Sequence, residues 1–253
     1  RVADAPFRVK HAVTRMQAAA PARWEDDEVA LDIKAARPYP ALFALPWSVP
    51  LEQWPEDQLA ALPRGISRHI VRFAKVDGRI LAVKEIKADI ALREYAMLKQ
   101  LRRLHLPCVE AIAVVTGRTD VHGEPLDACL LTRHLQFSLP YRAMISQTLR
   151  PDASTRLIDA LAVLLVKVHL VGFWWGDVSL SNALFRRDAG EFAAYLVDAE
   201  TGELYPEGLT DGKRLYDIDV ARTNIIGELM DLQAGALLEP TVDTIEVGDR
   251  IVS

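Results

Sequence analysis

Hydrophobic and polar residues alternate most clearly between residues 70 and 86. The runs 70–75 and 79–86 are rich in aliphatic residues, and an Asp-Gly pair at 77–78 separates them. Alternation with a period of two predicts strands, and an Asp-Gly pair between two such runs predicts a tight hairpin turn. Because strand side chains point to alternate faces, Lys84 shares a face with Ala82 and other apolar neighbours. We therefore expect its ammonium group to face a cleft.

Apolar residues recur at helical spacing in later parts of the chain. Within the first such segment, Glu94 lies on the same side as several apolar residues, so its carboxylate can point back toward Lys84. Glu85 and Glu110 are alternative partners for this lysine. The second segment ends at Gly172, a common helix stop. The predicted helices span residues 89–104, 155–171 and 213–232.

Other short apolar runs predict strands at 109–116 and 128–135 and a second hairpin from 183–186 and 192–197. The basic segment 8–20 has a helical pattern. Prolines interrupt residues 38–55 so often that no long helix can form there. We expect this segment, with Leu42, Phe43, Trp47 and Trp54, to pack as a strap on the domain that follows.

Composition is typical of a globular protein rather than a nucleic-acid-binding or membrane-spanning one. The 253 residues are 50% hydrophobic, enough for a sizeable core, and the net charge of −5 gives no general attraction to nucleic acid. The longest apolar runs fall well short of the ~20 residues needed to span a bilayer. Cys108 and Cys129 are the only cysteines and have no metal-binding spacing, which fits a reducing cytoplasm.

The candidate chemistry lies in the run from Gly172 to Asn182. It places the Asp177 carboxylate five residues before the Asn182 carboxamide. A carboxylate can orient and deprotonate a hydroxyl, and an amide oxygen can bind magnesium. Asp198 follows 21 residues after Asp177, at the end of the second predicted hairpin. One base and two metal-binding positions are what transfer of a phosphoryl group requires.

These segments resemble the protein-kinase-like superfamily. Leu81-Ala82-Val83-Lys84 is similar to the strand whose lysine holds nucleotide phosphates, and the likeness runs from about residue 67 to residue 200. A narrower resemblance is to an uncharacterised bacterial family described as similar to lipopolysaccharide kinases. It is carried by residues 62–69, by Trp175-Gly176-Asp177 and by residues 196–203. That narrower likeness brings no known substrate.

The resemblance implies an α+β, two-lobed protein-kinase-like fold. It would have a small antiparallel-sheet lobe at 37–135 with the leading strap, a mainly helical lobe at 136–253, and an N-terminal extension at 1–36. The resemblance implies that Asp177 is the catalytic base and that Mg2+ is bound by Asn182, Asp198 and Glu200. It implies that the ATP phosphates are contacted by Lys84, which Glu94 orients, and by Ser67 and Arg68. It also implies that the hinge containing Thr132 and His134 reads adenine.

Departures from the protein-kinase pattern favour a non-protein acceptor. Gly176 stands where an arginine would bind an activation-loop phosphate, and no Ala-Pro-Glu segment follows Asp198. Gly65 is the one glycine in the phosphate-covering segment, where side-chain donors would have to replace backbone amides. We therefore expect a phosphotransferase that uses ATP and magnesium on a hydroxyl of a sugar, lipid, glycolipid or other small molecule. The alternatives are a nucleotide-binding pseudokinase scaffold and, with less support, a protein Ser/Thr kinase.

Overall fold

An antiparallel sheet forms the framework of the first part of the chain in a computed structural model, which describes residues 7–10, 31–62, 68–147, 153–188 and 190–253. Across these residues the sheet has six strands in the order β1-β2-β5-β6-β4-β3. The strands are β1 (Phe7–Lys10), β2 (Asp32–Ala35), β3 (Ile70–Val76), β4 (Arg79–Ile86), β5 (Ala111–Thr116) and β6 (Ala128–Arg133). The predicted strands are confirmed here, with β5 starting two residues later and β6 ending two residues earlier than expected.

The tight turn between β3 and β4 follows from its two residues. Asp77 and Gly78 both have positive φ angles, of 49° and 70°. Two consecutive positive φ values define the turn that matches the twist of paired strands, and Asp-Gly is a favoured pair for it. The hairpin register runs without interruption from Ile70 opposite Glu85 to Val76 opposite Arg79.

The strand β1 corrects one sequence-based prediction. Residues 7–10 pair with β2, Phe7 opposite Ala35, although the pattern at 8–20 predicted a helix. The rest of that predicted helix lies outside the described residues. Its opening residues form a strand because a partner far along the chain supplies backbone hydrogen bonds that local spacing does not reveal.

The proline-rich strap packs on one face of the sheet. Leu42, Trp47 and Trp54 are buried in a core shared with apolar residues of β2 to β6, as predicted. The two indole rings meet edge to face at 5.3 Å, and each indole N–H donates to a strap carbonyl, of Leu42 and of Val49. Phe43 departs from the prediction, because it is 42% exposed.

A buried arginine ties this strap to the sheet. Arg118 donates to the Glu85 carboxylate at 2.6 Å and to the carbonyl oxygens of Trp47, Val49 and Asp127 at 3.1, 2.7 and 2.6 Å. Its side chain is 0% exposed. A buried guanidinium is tolerated only when its donors are satisfied, and here backbone carbonyls meet that need. Glu85 is thereby engaged with Arg118.

Helices and short strands make up most of the remaining chain. The helices of the described ranges are α1 (Ala88–Arg103), α2 (Tyr141–Gln147), α3 (Ala153–Leu170), α4 (Asp211–Ala234) and α5 (Thr244–Asp249). The strands are β7 (Ser138–Leu139), β8 (Phe173–Trp174), β9 (Ala183–Asp188), β10 (Glu191–Leu196) and β11 (Glu203–Leu204). The three predicted helices correspond to α1, α3 and α4, and the second predicted hairpin is β9–β10. The predicted α+β class is confirmed.

Contacts between Cα positions divide the described chain into two compact units. The first holds the described residues up to Ala61 with His69–Tyr95 and Ala111–Arg133, and it contains the large sheet. The second holds Leu62, Arg68, Ala96–Glu110 and His134–Ser253. Across the described ranges, none of the helices combines the length and the hydropathy that crossing a membrane requires.

Local signals in the second unit explain where two helices meet the loops. Thr210 caps α4, since its side chain accepts a hydrogen bond from the Lys213 backbone N–H. Gly172 ends α3 with a φ of +82°, and a Cβ atom there would lie 2.2 Å from the carbonyl oxygen of Tyr205. Both the conformation and the close approach therefore require glycine.

The buried Arg118 network gives a stability prediction. Arg118→Met keeps the aliphatic stem but leaves the Glu85 carboxylate, 11% exposed, without its cation. Breaking such a buried pair costs about 3–5 kcal/mol, which chemical denaturation would measure. The control is Lys87→Met, which removes an exposed contact with Asp127 and should leave the denaturation midpoint unchanged. Equal effects of the two substitutions would contradict the anchoring role.

Candidate active site

Lys84 and Glu94 form an ion pair in the first unit. Lys84 lies on β4, opposite Val71 of β3 and Leu130 of β6, so its position is fixed by strands on both sides. Its Nζ is 3.0 Å from Oε2 of Glu94 on α1. The lysine side chain is 13% exposed and that of Glu94 is 0% exposed. The predicted contact is confirmed, and little solvent screens it.

Asp177 and Asn182 face each other within the loop 175–182 of the second unit. The Asn182 Nδ2 donates to the Asp177 carbonyl oxygen at 2.8 Å and to its Oδ2 at 3.1 Å. The Asn182 backbone N–H in turn donates to the Ser179 hydroxyl. Because the amide nitrogen is engaged with Asp177, the amide oxygen is the atom of Asn182 that can bind a metal ion.

The start of this loop is held by Asp217 of α4. Its two carboxylate oxygens accept the backbone N–H groups of Trp175 at 3.0 Å and Gly176 at 2.8 Å. The Nε2 of His169, at the end of α3, lies 2.9 Å from Oδ2 of the same carboxylate. Asp217 is fully buried, so three donors offset the loss of its hydration. His169 thus acts as a structural partner.

Two more side chains of α4 hold the rest of the loop. Glu228 accepts the backbone N–H groups of Leu180 and Ser181, both at 2.8 Å. Burial raises the pKa of Glu228, and the hydrogen bonds from Ser181 and Leu180 oppose that shift. Asn224, one turn earlier, also donates to the loop. Asp217, Asn224 and Glu228 are spaced seven and four residues apart, which places them on one face of the helix.

The acidic segment after β10 lies beside the same loop. The Val197 backbone N–H donates to the Asn182 carbonyl at 3.2 Å, and the Trp175 indole N–H donates to the Asp198 carbonyl at 3.1 Å. Asp198 Oδ1 accepts the backbone N–H of Glu200 at 2.9 Å. These contacts gather Asp177, Asn182 and Asp198 at neighbouring loop ends. Carboxylate and amide oxygens are the ligands that magnesium prefers in proteins.

The buried Trp175 has a structural part in this arrangement. Its side chain is fully buried, and its backbone carbonyl accepts the Thr201 hydroxyl at 2.8 Å while its indole binds the Asp198 carbonyl. Trp175 therefore links the loop to the acidic segment.

The remaining predicted nucleotide-site residues are placed less specifically. The exposed Arg68 brings a guanidinium nitrogen within 3.9 Å of Asp177 Oδ2, a contact that solvent screens. Thr132 lies on β6 opposite Ala82, and His134 follows the strand. Burial lowers the pKa of His134. Ser67 lies outside the described residues.

The α4 contacts were not predicted from the sequence. A signal did exist, because Asp217, Asn224 and Glu228 interrupt a helix face that otherwise buries Ala221, Ile225 and Leu229. Polar residues on the buried side of an amphipathic helix need partners. Their spacing indicates that partners exist, although it does not identify the loop as the partner.

Comparisons with known proteins give a family match and a likeness to a solved structure. The model of the "Lipopolysaccharide kinase (Kdo/WaaP) family" matches residues 75–208, just over half of the chain. A solved structure described as "WaaP in complex with acyl carrier protein" is similar at 14% identity and a TM-score of 0.48, over 78% of this chain and 91% of that one. No curated protein matches the chain.

The Asp217 contacts predict how the loop responds to a single change. Asp217→Asn keeps the side-chain shape but turns an amide group toward donors, so at least one buried N–H loses its acceptor at a cost of ~1–3 kcal/mol. Hydrogen exchange should accelerate at Trp175 and Gly176, and the free energy of unfolding should fall. Asp219→Asn, an exposed carboxylate on the same helix, serves as the control. Unchanged exchange at both amides would show that Asp217 does not hold the loop.

Proposed function

The chain belongs to the lipopolysaccharide kinase (Kdo/WaaP) family, and on this premise we propose that it transfers the terminal phosphoryl group of ATP to a hydroxyl of a sugar-containing acceptor. Membership makes the protein a kinase-like phosphotransferase. We base the proposed transfer from ATP to a hydroxyl on the arrangement of the loop 175–182. There the Asp177 carboxylate is oriented by Asn182, whose backbone also contacts the segment bearing Asp198.

In this proposal Asp177 acts on the acceptor. Its carboxylate is 38% exposed at the side chain, so a hydroxyl can reach it. It would orient the hydroxyl and take its proton as the new bond to phosphorus forms, while the bond to the bridging oxygen of ATP breaks. The acceptor thereby gains a phosphoryl group, and ADP leaves.

Oxygen ligands from the loop 175–182 and from the segment after β10 fit magnesium. Asn182 Oδ1 and the carboxylates of Asp198 and Glu200 are hard oxygen ligands, and Mg2+ bound there would neutralise charge on the transferring phosphate. Asp198 uses Oδ1 in its own turn with Glu200 N–H, which fixes the carboxylate before any ion arrives. A preformed ligand orientation lowers the cost of binding.

The nucleotide roles follow the resemblance to kinases. We assign Lys84, held by Glu94, to the ATP phosphates, with Ser67 and Arg68 as further phosphate donors. Backbone groups around Thr132 and His134 would read the adenine. What supports the first assignment is the 3.0 Å ion pair, which fixes an otherwise flexible four-carbon side chain.

Two carboxylate substitutions separate the proposed roles. Asp177→Asn should lower ATP turnover, with water or purified rough lipopolysaccharide as acceptor, by about 10²–10⁴-fold, because it removes the base. Its magnesium-ATP affinity, measured by thermal shift, should stay near the wild-type value. Asp198→Asn should weaken both affinity and turnover, since it removes a metal ligand.

The exposed Asp219→Asn is the matched control for both variants. Wild-type protein that shows no magnesium-dependent thermal shift with millimolar ATP would refute nucleotide binding altogether. Binding without turnover, together with an Asp177→Asn variant that behaves like the wild type, would instead favour the pseudokinase alternative.

A further inference from the structure

We propose that Asn224 is a positioning residue for the catalytic carboxylate, an inference that rests on the proposed function of Asp177. The Asn224 Nδ2 lies 3.3 Å from Asp177 Oδ1 and 3.0 Å from the Val178 carbonyl oxygen. One amide group therefore contacts both the reactive side chain and the backbone that carries it. Neither the spacing of the loop nor the family match assigns a role to this residue.

Two amide groups hold opposite oxygens of the Asp177 carboxylate. Asn182 donates to Oδ2 at 3.1 Å, and Asn224 donates to Oδ1 at 3.3 Å. The final torsion of an aspartate side chain is broad, so one hydrogen bond leaves the carboxylate plane free to swing. A second donor on the other oxygen fixes that plane. Asn224 supplies this second donor from outside the loop.

The support for Asn224 comes from a rigid element. It lies on the 24-residue helix α4, next to the fully buried Ile225 and one turn before Glu228, which holds Leu180 and Ser181. The loop can thus move relative to Asn224 only if those backbone contacts also break. Reacting groups need such fixed geometry, because a misplacement of about 1 Å can cost ~10²-fold in rate.

A neutral donor suits this role better than a charged one. The amide of Asn224 orients Asp177 without adding a positive charge that would offset the carboxylate, whose charge is needed to attract the acceptor proton. Arg68 is the charged alternative, but its side chain is 71% exposed and 3.9 Å away, so water screens it and leaves its geometry loose.

The test compares two substitutions that differ in what they present to Asp177. Asn224→Leu removes the donor at similar volume, and Asn224→Asp replaces it with an acceptor that repels Oδ1. We expect ATP turnover, with water or purified rough lipopolysaccharide as acceptor, to fall about 10–100-fold for Asn224→Leu and further for Asn224→Asp. The KM for ATP should stay within about twofold of wild type, since neither substitution affects the binding of ATP in the ground state.

Controls separate positioning from folding. Thr223→Val, on the same helix, removes a hydroxyl whose described hydrogen bond is to the Asp219 carbonyl within α4. This substitution should leave turnover and melting temperature unchanged. Asn224→Gln keeps an amide and should recover part of the lost turnover. In an Asp177→Asn background, Asn224→Leu should cause little further loss, because the two residues act as one unit.

If the wild type turns over ATP and both Asn224→Leu and Asn224→Asp keep the wild-type rate, the positioning role of Asn224 is wrong and the proposed function stands. If the loss of turnover caused by Asn224→Leu adds in full to the loss caused by Asp177→Asn, Asn224 has a structural role instead. The same conclusion follows if the loss of turnover accompanies a matching fall in melting temperature. Absence of wild-type turnover would overturn the proposed function, and the role of Asn224 with it.

Discussion

Two consecutive backbone N–H groups, of Trp175 and Gly176, have Asp217 as their acceptor, and the order of the loop 175–182 depends on that carboxylate. Buried donors without acceptors are costly, so the loop is held against α4 wherever α4 presents oxygen atoms. Glu228 repeats the same interaction at Leu180 and Ser181. Asp177 lies between these two anchors, so the orientation of its side chain depends on how Asp217 and Glu228 hold the two ends of the loop.

Much of the fold could be predicted because its signals are local. The Asp-Gly pair at 77–78 specifies a turn by its own backbone preferences, and Gly172 ends α3 by a conformation that other residues resist. The strand at Phe7–Lys10 could not be predicted, since it exists through pairing with a strand more than 20 residues away. Phe43 shows the same limit, because an apolar residue in a strap can face either side.

The candidate site shows the same difference between local signals and long-range contacts. Asp177, Asn182 and Asp198 are separated by short stretches with recognisable spacing, so the grouping of these three could be inferred. Glu94 lies only ten residues after Lys84, so that ion pair could be inferred as well. The contacts from Asp217, Asn224 and Glu228 join positions more than 40 residues apart. Helical spacing reveals that these polar residues share a face, but which segment covers that face is a tertiary property. Trp175 is similar, since its link to Asp198 depends on where β10 ends.

We propose that this arrangement moves a phosphoryl group to a sugar hydroxyl. The most direct measurement incubates the protein with γ-labelled ATP, magnesium and purified rough lipopolysaccharide, and follows the label and the phosphorus NMR spectrum of the glycolipid. The account predicts a new phosphate monoester on the sugar portion that appears only when magnesium is present. Intact binding of magnesium-ATP with all label remaining in ATP, or passing only to water, would contradict it.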